Sequence, residues 1–453
     1  MKTLASLTYC VLIVLGLNVA CPAQSPWKIA AARVKITPEK PLWMSGYAAR
    51  TQPAEGTLHD LWAKALVLEA STGSRAVVIT TDVAGFPKLL ADQICADLQA
   101  RCGLQRSQIM LTSSHTHCGP VLEGDAYEVY VMDAGQPALI AEYSQGLRKK
   151  IVDMVAEACT RLTPGTLWAG VGTADLAVNR RNNSEKTLAE ALARGEKPKG
   201  PVDHDVPVLA AREADGNLRA VAFGYACHNT TLSIQQWCGD YAGFAQLALE
   251  QRHPGVTALF HMGCGADQNP LPRRTIELCQ QYGTQLAAGV DAVLAGPMRP
   301  VAARLQTRFE IVDLPYGEQP TAAELQELVA KPGPTNYQKR WAQRMLADLE
   351  AGKTFAKSYP YPIQIWKLGD DQLWIMLGSE VVVDYALMLK KQYGRTTWVT
   401  SYANDVMCYI PSHRVWQEGG YEAGAFATAG LPAHRWCEDI ETRILSCVER
   451  LAK

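Results

Sequence analysis

The stretch "QIMLTSSHTHCGP", residues 108–120, joins an apolar run to a polar loop that carries two histidines, His115 and His117. Short apolar runs that end on chemically active side chains are the mark of α/β proteins, where functional residues gather beyond the carboxyl ends of strands. The same pattern recurs along the chain. Apolar or β-branched runs at 75–82 ("RAVVITTD"), 218–226 ("LRAVAFGYA"), 256–262 ("VTALFHM"), 372–377 ("QLWIML") and 396–402 ("TTWVTSY") read as buried strands. Between them, 3.6-residue periodicity predicts helices over about 86–100, 137–161, 242–252, 275–295, 335–351, 381–393 and 437–451. This alternation predicts an α/β fold with a mixed β-sheet core flanked by helices. The stretch 313–362 reads as a helical insertion with proline breaks, a lid or spacer inside one large domain spanning 24–453. Residues 181–203 ("RNNSEKTLAEALARGEKPKGPVD") read as a charged loop near the candidate site.

Composition bounds the function. The chain has 453 residues, 48% hydrophobic, with a net charge of -1 and no long basic or acidic block. That balance excludes a nucleic-acid partner as the default and favours a small or neutral ligand. Residues 1–23 pair Lys2 with an apolar core and small residues, the pattern of a secretory signal peptide, with cleavage after Ala20 or Ala23. The expected location is the periplasm or the exterior. A lipoprotein anchor at Cys21 is disfavoured because "NVA", residues 18–20, begins with asparagine where such sites want leucine. No other run is apolar enough to span a bilayer, so membrane contact is at most peripheral. Thirteen cysteines fall to eleven if cleavage follows Ala23, an odd number, and none form a CxxC pair. They read as buried thiols with a disulfide or two.

The strand ends deliver a specific set of side chains. Residues 108–114 run into His115 and His117, 218–226 into His228, 256–262 into "GCGADQNP", 372–377 into Glu380, and 396–402 toward Tyr409. If one sheet brings these ends together, nitrogen and oxygen donors converge in a set that suits Zn²⁺ with a position left for water. Residues two apart on a strand point the same way, so both histidines of "HTH" could face one ion. At a strand end the chain turns, and one of them would then stand behind the other. A serine hydrolase is a weaker reading, since no GxSxG elbow is present.

Taken in order, "HTHCGP" (115–120), "NRRNNS" (179–184), "YACHNTTLS" (225–233), "GADQNP" (265–270), "GSE" (378–380) and "NDVMCYIPS" followed by "GGYEAG" (404–424) resemble the neutral, non-lysosomal ceramidases. The likeness covers roughly residues 28–425. It implies one Zn²⁺ held by His115, His228, Glu380 and Tyr409. It places His117 behind the ligands or against the substrate carbonyl, and Arg180 on the substrate oxygen. Two departures matter. The family's Asp-x-Ser-Pro serine is replaced by Asn269, with Asp267 retained, so no covalent serine step is available there. The family's C-terminal immunoglobulin-like domain is expected to be missing from these 453 residues. The resulting expectation is an exported zinc amidohydrolase that cleaves a small N-acyl substrate with metal-activated water. His117 and Asp267 are the candidate bases, and Asn269 and Arg180 the candidate oxyanion partners. The alternatives are a zinc hydrolase for a polar amide or ester, which the polar 181–203 stretch favours over ceramide, and an exported binding protein with a vestigial site.

Overall fold

The computed structural model describes residues 27–332 and 336–453. The expected signal peptide and the Cys21 anchor lie outside these residues. Two β-sheets pack face to face, with helices on both outer faces. The larger sheet runs in the order Thr257–Met262, Leu218–Tyr225, Asp205–Glu213, Thr163–Thr173, Trp27–Lys35, Trp62–Glu69, Arg75–Thr81 and Ile109–Ser113, with Arg299–Val301 paired to Thr163–Thr173. Its two outermost pairs are parallel and the strands between are antiparallel. The smaller sheet orders Leu305–Pro315, Ser358–Leu368, Gln372–Leu377 and Trp398–Thr400, with the last pair parallel. The fold is the mixed α/β arrangement expected, but the expectation that one sheet carries every site residue is corrected: Glu380 follows a strand of the second sheet.

The period-two alternation of the strands explains the layering. Val77 and Ile79 face the helices Lys88–Cys102 and Gln136–Cys159, whereas Ala76 and Val78 face the other sheet. In the smaller sheet Trp374 and Met376 point inward, and Ile375 and Leu377 point to the helices Val383–Tyr393 and Ile440–Ala452. Trp27, Trp366, Trp374 and Trp398 fill the space between the sheets. Each large ring removes about 150–250 Å² from water.

The larger sheet curls so that its edge strand Thr257–Met262 comes close to Trp62–Glu69 and Ile109–Ser113. Lys64 spans this gap: its buried ammonium donates to Ala258 O at 2.9 Å and pairs with Glu250 at 2.7 Å. The curl brings the loop after Ile109–Ser113 against the loop after Leu218–Tyr225, and Asn229 Nδ2 donates to Ser114 O at 2.5 Å. The second sheet joins at the same end. Thr112 bridges to Ala403, and Ser401 N donates to Met262 O at 3.0 Å.

Between the strands Leu305–Pro315 and Ser358–Leu368 the chain makes a helical hairpin, Ala322–Ala330 and Asn336–Glu350. The insertion is therefore shorter than 313–362, because its flanks are sheet. The hairpin is docked: Arg340 Nε donates to Glu128 O at 2.8 Å and Trp341 Nε1 to Leu431 O at 3.0 Å. All eleven cysteines in the described residues are free thiols, most of them buried, so the expected disulfides are not formed.

One loop group makes stability depend on pH. Asp405 is buried. Its Oδ2 accepts from Tyr359 OH at 2.6 Å, while Oδ1 has no partner among the described residues. Burial pushes this carboxyl up to about 6. The folded chain thus holds a proton that the unfolded chain releases near pH 4. Stability is full below that value and falls as pH rises through 6. Asp405→Asn, which keeps the acceptor for Tyr359, is expected to unfold at higher urea than the parent at pH 8, by about 2–3 kcal/mol. The two should coincide near pH 4, and equal midpoints at pH 8 would refute the account.

Candidate metal centre and its cavity

His115 follows the strand Ile109–Ser113 in a left-handed conformation, φ 59°. Its backbone N–H donates to Val83 O at 3.0 Å and its ring Nδ1 lies 2.6 Å from Ala84 O. That contact requires a proton on Nδ1 and turns the Nε2 lone pair inward. His228 repeats the device: its Nδ1 lies 2.7 Å from Gly265 O, and its buried Nε2 has no hydrogen-bond partner among the described residues. Glu380 sits in a two-residue parallel bridge whose register places it opposite Tyr409. Glu380 Oε2 lies 3.3 Å from His115 Nε2 and 3.2 Å from His228 Nε2. These three predicted ligands therefore share one point. His117 joins them, with Nε2 at 3.2 Å from His115 Nε2, and the ligand atoms of the three histidines all lie within 4.8 Å of one another.

The electrostatics suit a cation. Burial pushes His228 down to about 4 and His117 well below the usual imidazole value, so both are neutral with a free lone pair at pH 7. Glu380 lies against both rings, its Oε2 within 3.3 Å of either Nε2. Converging neutral imidazoles and an ionised carboxylate, one nitrogen of them orphaned in the interior, form a donor set that could hold a divalent metal ion. Tyr409 stands beside the cluster, its hydroxyl accepting from Arg180 Nη2 at 3.3 Å. Burial and Glu380 push its phenol up, against the pull of Arg180.

The remaining predicted residues divide. Arg180 is fixed by its N–H to Asp267 O at 2.8 Å and by Nε to Glu422 Oε1 at 2.8 Å, and its guanidinium lies 5.6 Å from the Tyr409 and Tyr421 ring centres. Asn269 lies in the short strand Gln268–Pro270 and lines the cavity, and its carboxamide oxygen has no partner among the described residues. Asp267 does not reach the cavity. It is fully buried, with Oδ1 accepting from Val383 N at 2.9 Å and Oδ2 from Asn179 Nδ2 at 2.9 Å. Its side chain turns inward to satisfy the start of the helix Val383–Tyr393, and both oxygens are engaged, so it is a brace and not a free base.

Before the cluster lies a cavity of about 660 Å³, lined by His117, Arg180, Asn269 and Tyr409 among others. Sequence reasoning missed three of its neighbours. Tyr402 donates to Glu380 Oε2 at 3.3 Å and tilts over the His115 ring at 4.4 Å. Glu422 is buried and ties Arg180 to Arg181. Gly46 backs His117: an added Cβ would lie 2.3 Å from His117 Cγ, and φ is 100°. Only the "GGYEAG" motif, quoted but left without roles, offered a signal for Glu422. Gly46→Ala is expected to displace the His117 ring by about 1 Å, which a crystal structure of the variant checks. An unmoved ring would show that position 46 does not set it.

With this geometry in place, the chain belongs to the neutral/alkaline non-lysosomal ceramidase family, whose N-terminal sequence model matches residues 28–291. Among curated relatives, it is 25% identical to neutral ceramidase A of Dictyostelium discoideum over 237 residues, 48% of this chain and 30% of that protein. It is 24% identical to the neutral ceramidase of Drosophila melanogaster over 238 residues, 50% of this chain and 32% of that one. The match thus spans about a third of the length of these relatives. The neutral ceramidase from Pseudomonas aeruginosa superposes with a TM-score of 0.69 at 20% identity, covering 94% of this chain and 75% of that chain. A structure titled as a ceramidase complexed with C2 gives 0.68 at 19% identity.

Proposed function

We propose that this chain is an exported, zinc-dependent hydrolase of C–N bonds. The observation that carries the reading is the convergence of buried, proton-free imidazole nitrogens and the Glu380 carboxylate at the edge of a cavity large enough for a small molecule. His115, His228 and Glu380 would hold the ion, with Tyr409 as the fourth donor. Zn²⁺ there would supply Lewis acidity toward a carbonyl oxygen and a water acidic enough to be nucleophilic near pH 7. Arg180 steadies the substrate oxygen through its guanidinium, held in place by Glu422. Asn269 presents its carboxamide to the same substrate. His117, neutral and facing both cluster and cavity, takes up a proton and returns it to the leaving amine. The leader-like residues 1–23 support export, which N-terminal sequencing of the mature protein tests.

A polar amide or ester is favoured over ceramide itself by the cavity wall, where, among the described residues, Leu271 is the one aliphatic side chain, beside three tyrosines and six arginine and glutamate side chains. The deciding experiment is elemental analysis of the purified protein, followed by an amide and ester panel with and without chelator. One zinc per chain and chelator-sensitive amide cleavage are expected. Zinc without any turnover would instead identify a binding protein.

A further inference from the structure

We infer that Tyr402 is a positioning residue for the metal: its hydroxyl fixes the Glu380 carboxylate with Oε2 toward the histidines, so that the site is shaped before an ion arrives. The inference rests on the metal reading given above. Tyr402 is 1% exposed, and its O–H donates to Glu380 Oε2 at 3.3 Å. A phenol keeps its proton at pH 7, so the hydroxyl is the donor of this pair.

The need for such a partner lies in where the ring protons sit. His115 and His228 each carry a proton on Nδ1, against Ala84 O at 2.6 Å and Gly265 O at 2.7 Å. Their Nε2 atoms therefore turn lone pairs toward Glu380 Oε2, at 3.3 and 3.2 Å. Three electron-rich atoms held this close repel one another until a cation enters. An unpartnered Glu380 would turn its carboxylate away. Among the described residues, the Tyr402 hydroxyl is the one group besides the two rings that reaches this carboxylate. The spacing it preserves is that of a filled site. Tetrahedral zinc with bonds of about 2.0–2.1 Å separates its donors by about 3.3–3.4 Å.

The backbone holds Tyr402 independently of that carboxylate. Its φ is 54°, as Ser379 has 63° and His115 has 59°, and a non-glycine residue keeps this conformation only where its surroundings impose it. Two links impose it here. Tyr402 N donates to Ser379 O at 2.9 Å, and Tyr402 O accepts from Ser113 N at 3.4 Å. The ring rests against His115, with centres 4.4 Å apart. One residue thus touches two predicted ligands that follow different sheets, His115 through its ring and Glu380 through its hydroxyl. Partners that orient a metal ligand in this way commonly govern affinity by about 10–100-fold.

The test measures the zinc Kd, by competition with a chelator, and the visible spectrum of the Co²⁺-loaded protein, for the parent, Tyr402→Phe and Tyr143→Phe. Phenylalanine at 402 keeps the ring on His115 and removes one oxygen atom. Tyr143 is the matched control, since its hydroxyl donates to Ile36 O at 2.6 Å from the helix Gln136–Cys159. Tyr402→Phe is expected to weaken zinc at least about tenfold and to change the Co²⁺ spectrum, whereas Tyr143→Phe should match the parent in both. An unchanged Kd in Tyr402→Phe would overturn the assignment. So would an equal loss in both variants, or failure of Tyr402→Phe alone to fold, since either would make the hydroxyl a general support of the fold. A parent that binds neither zinc nor cobalt would bring down the metal reading and this inference together. A parent that binds zinc no more tightly than Tyr402→Phe does would bring down this inference alone.

Discussion

His228→Ala is expected to leave the purified protein without stoichiometric metal and with turnover reduced about 10³-fold or more, the scale of losing several kcal/mol of Lewis-acid stabilisation. His228 is 1% exposed, and its Nε2 faces Glu380 Oε2 at 3.2 Å with no hydrogen-bond donor or acceptor satisfied there among the described residues. The variant loses the contact to Gly265 O and gains a small cavity, a cost of about 2–4 kcal/mol. Thermal melting separates that cost from the chemistry, since a folded variant without metal or activity is the expected result. Full turnover by folded, metal-free His228→Ala would sink the proposed mechanism.

The second large effect has the opposite signature in metal content. Arg180→Met should keep one metal per chain yet lose about 10²–10³ in kcat, the range seen when one donor to a developing oxyanion is removed. Among the described residues the hydrogen bonds of Arg180 go to Glu422, Tyr409 and the Asp267 carbonyl. Glu422 retains Arg181 at 2.6 Å, so the substitution does not leave a bare buried carboxylate. Arg180→Lys should recover little, because an ammonium cannot span Glu422 and the substrate with the geometry of a fork. If kcat survives and only KM rises, Arg180 binds the ground state and not the transition state.

The convergence of His115, His228 and Glu380 was legible because each follows an uninterrupted apolar run, and such runs announce where a strand stops. What could not be read was the path between them. The strand Thr163–Thr173 begins "TPG" and carries Gly170 and Gly172, which look like turn residues. The structure shows their purpose: a Cβ at Gly170 would lie 2.5 Å from Val293 Cγ1, so the helix Ile276–Ala295 packs where a side chain would stand. Lys64 interrupts the apolar pattern of Trp62–Glu69, and its charge is neutralised by Glu250, 186 residues away in sequence. A loop sequence does not say which way the Asp267 side chain turns, and here the waiting N–H of Val383 decides it. Tyr402 was hidden inside an apolar run, where nothing local distinguishes a packed ring from one that hydrogen-bonds Glu380.

The donors at this centre come from both sheets: His115 and His228 extend from the larger, and Glu380 follows the smaller. An ion gripped there would act as a rivet through two plates, lost as soon as either plate separates. Metal binding would then be linked to the docking of the chain's two halves, adding about RT ln(1 + [M]/Kd) to the work of pulling them apart. A fragment ending near residue 291 would keep two imidazoles of the grip and no Glu380 to close it.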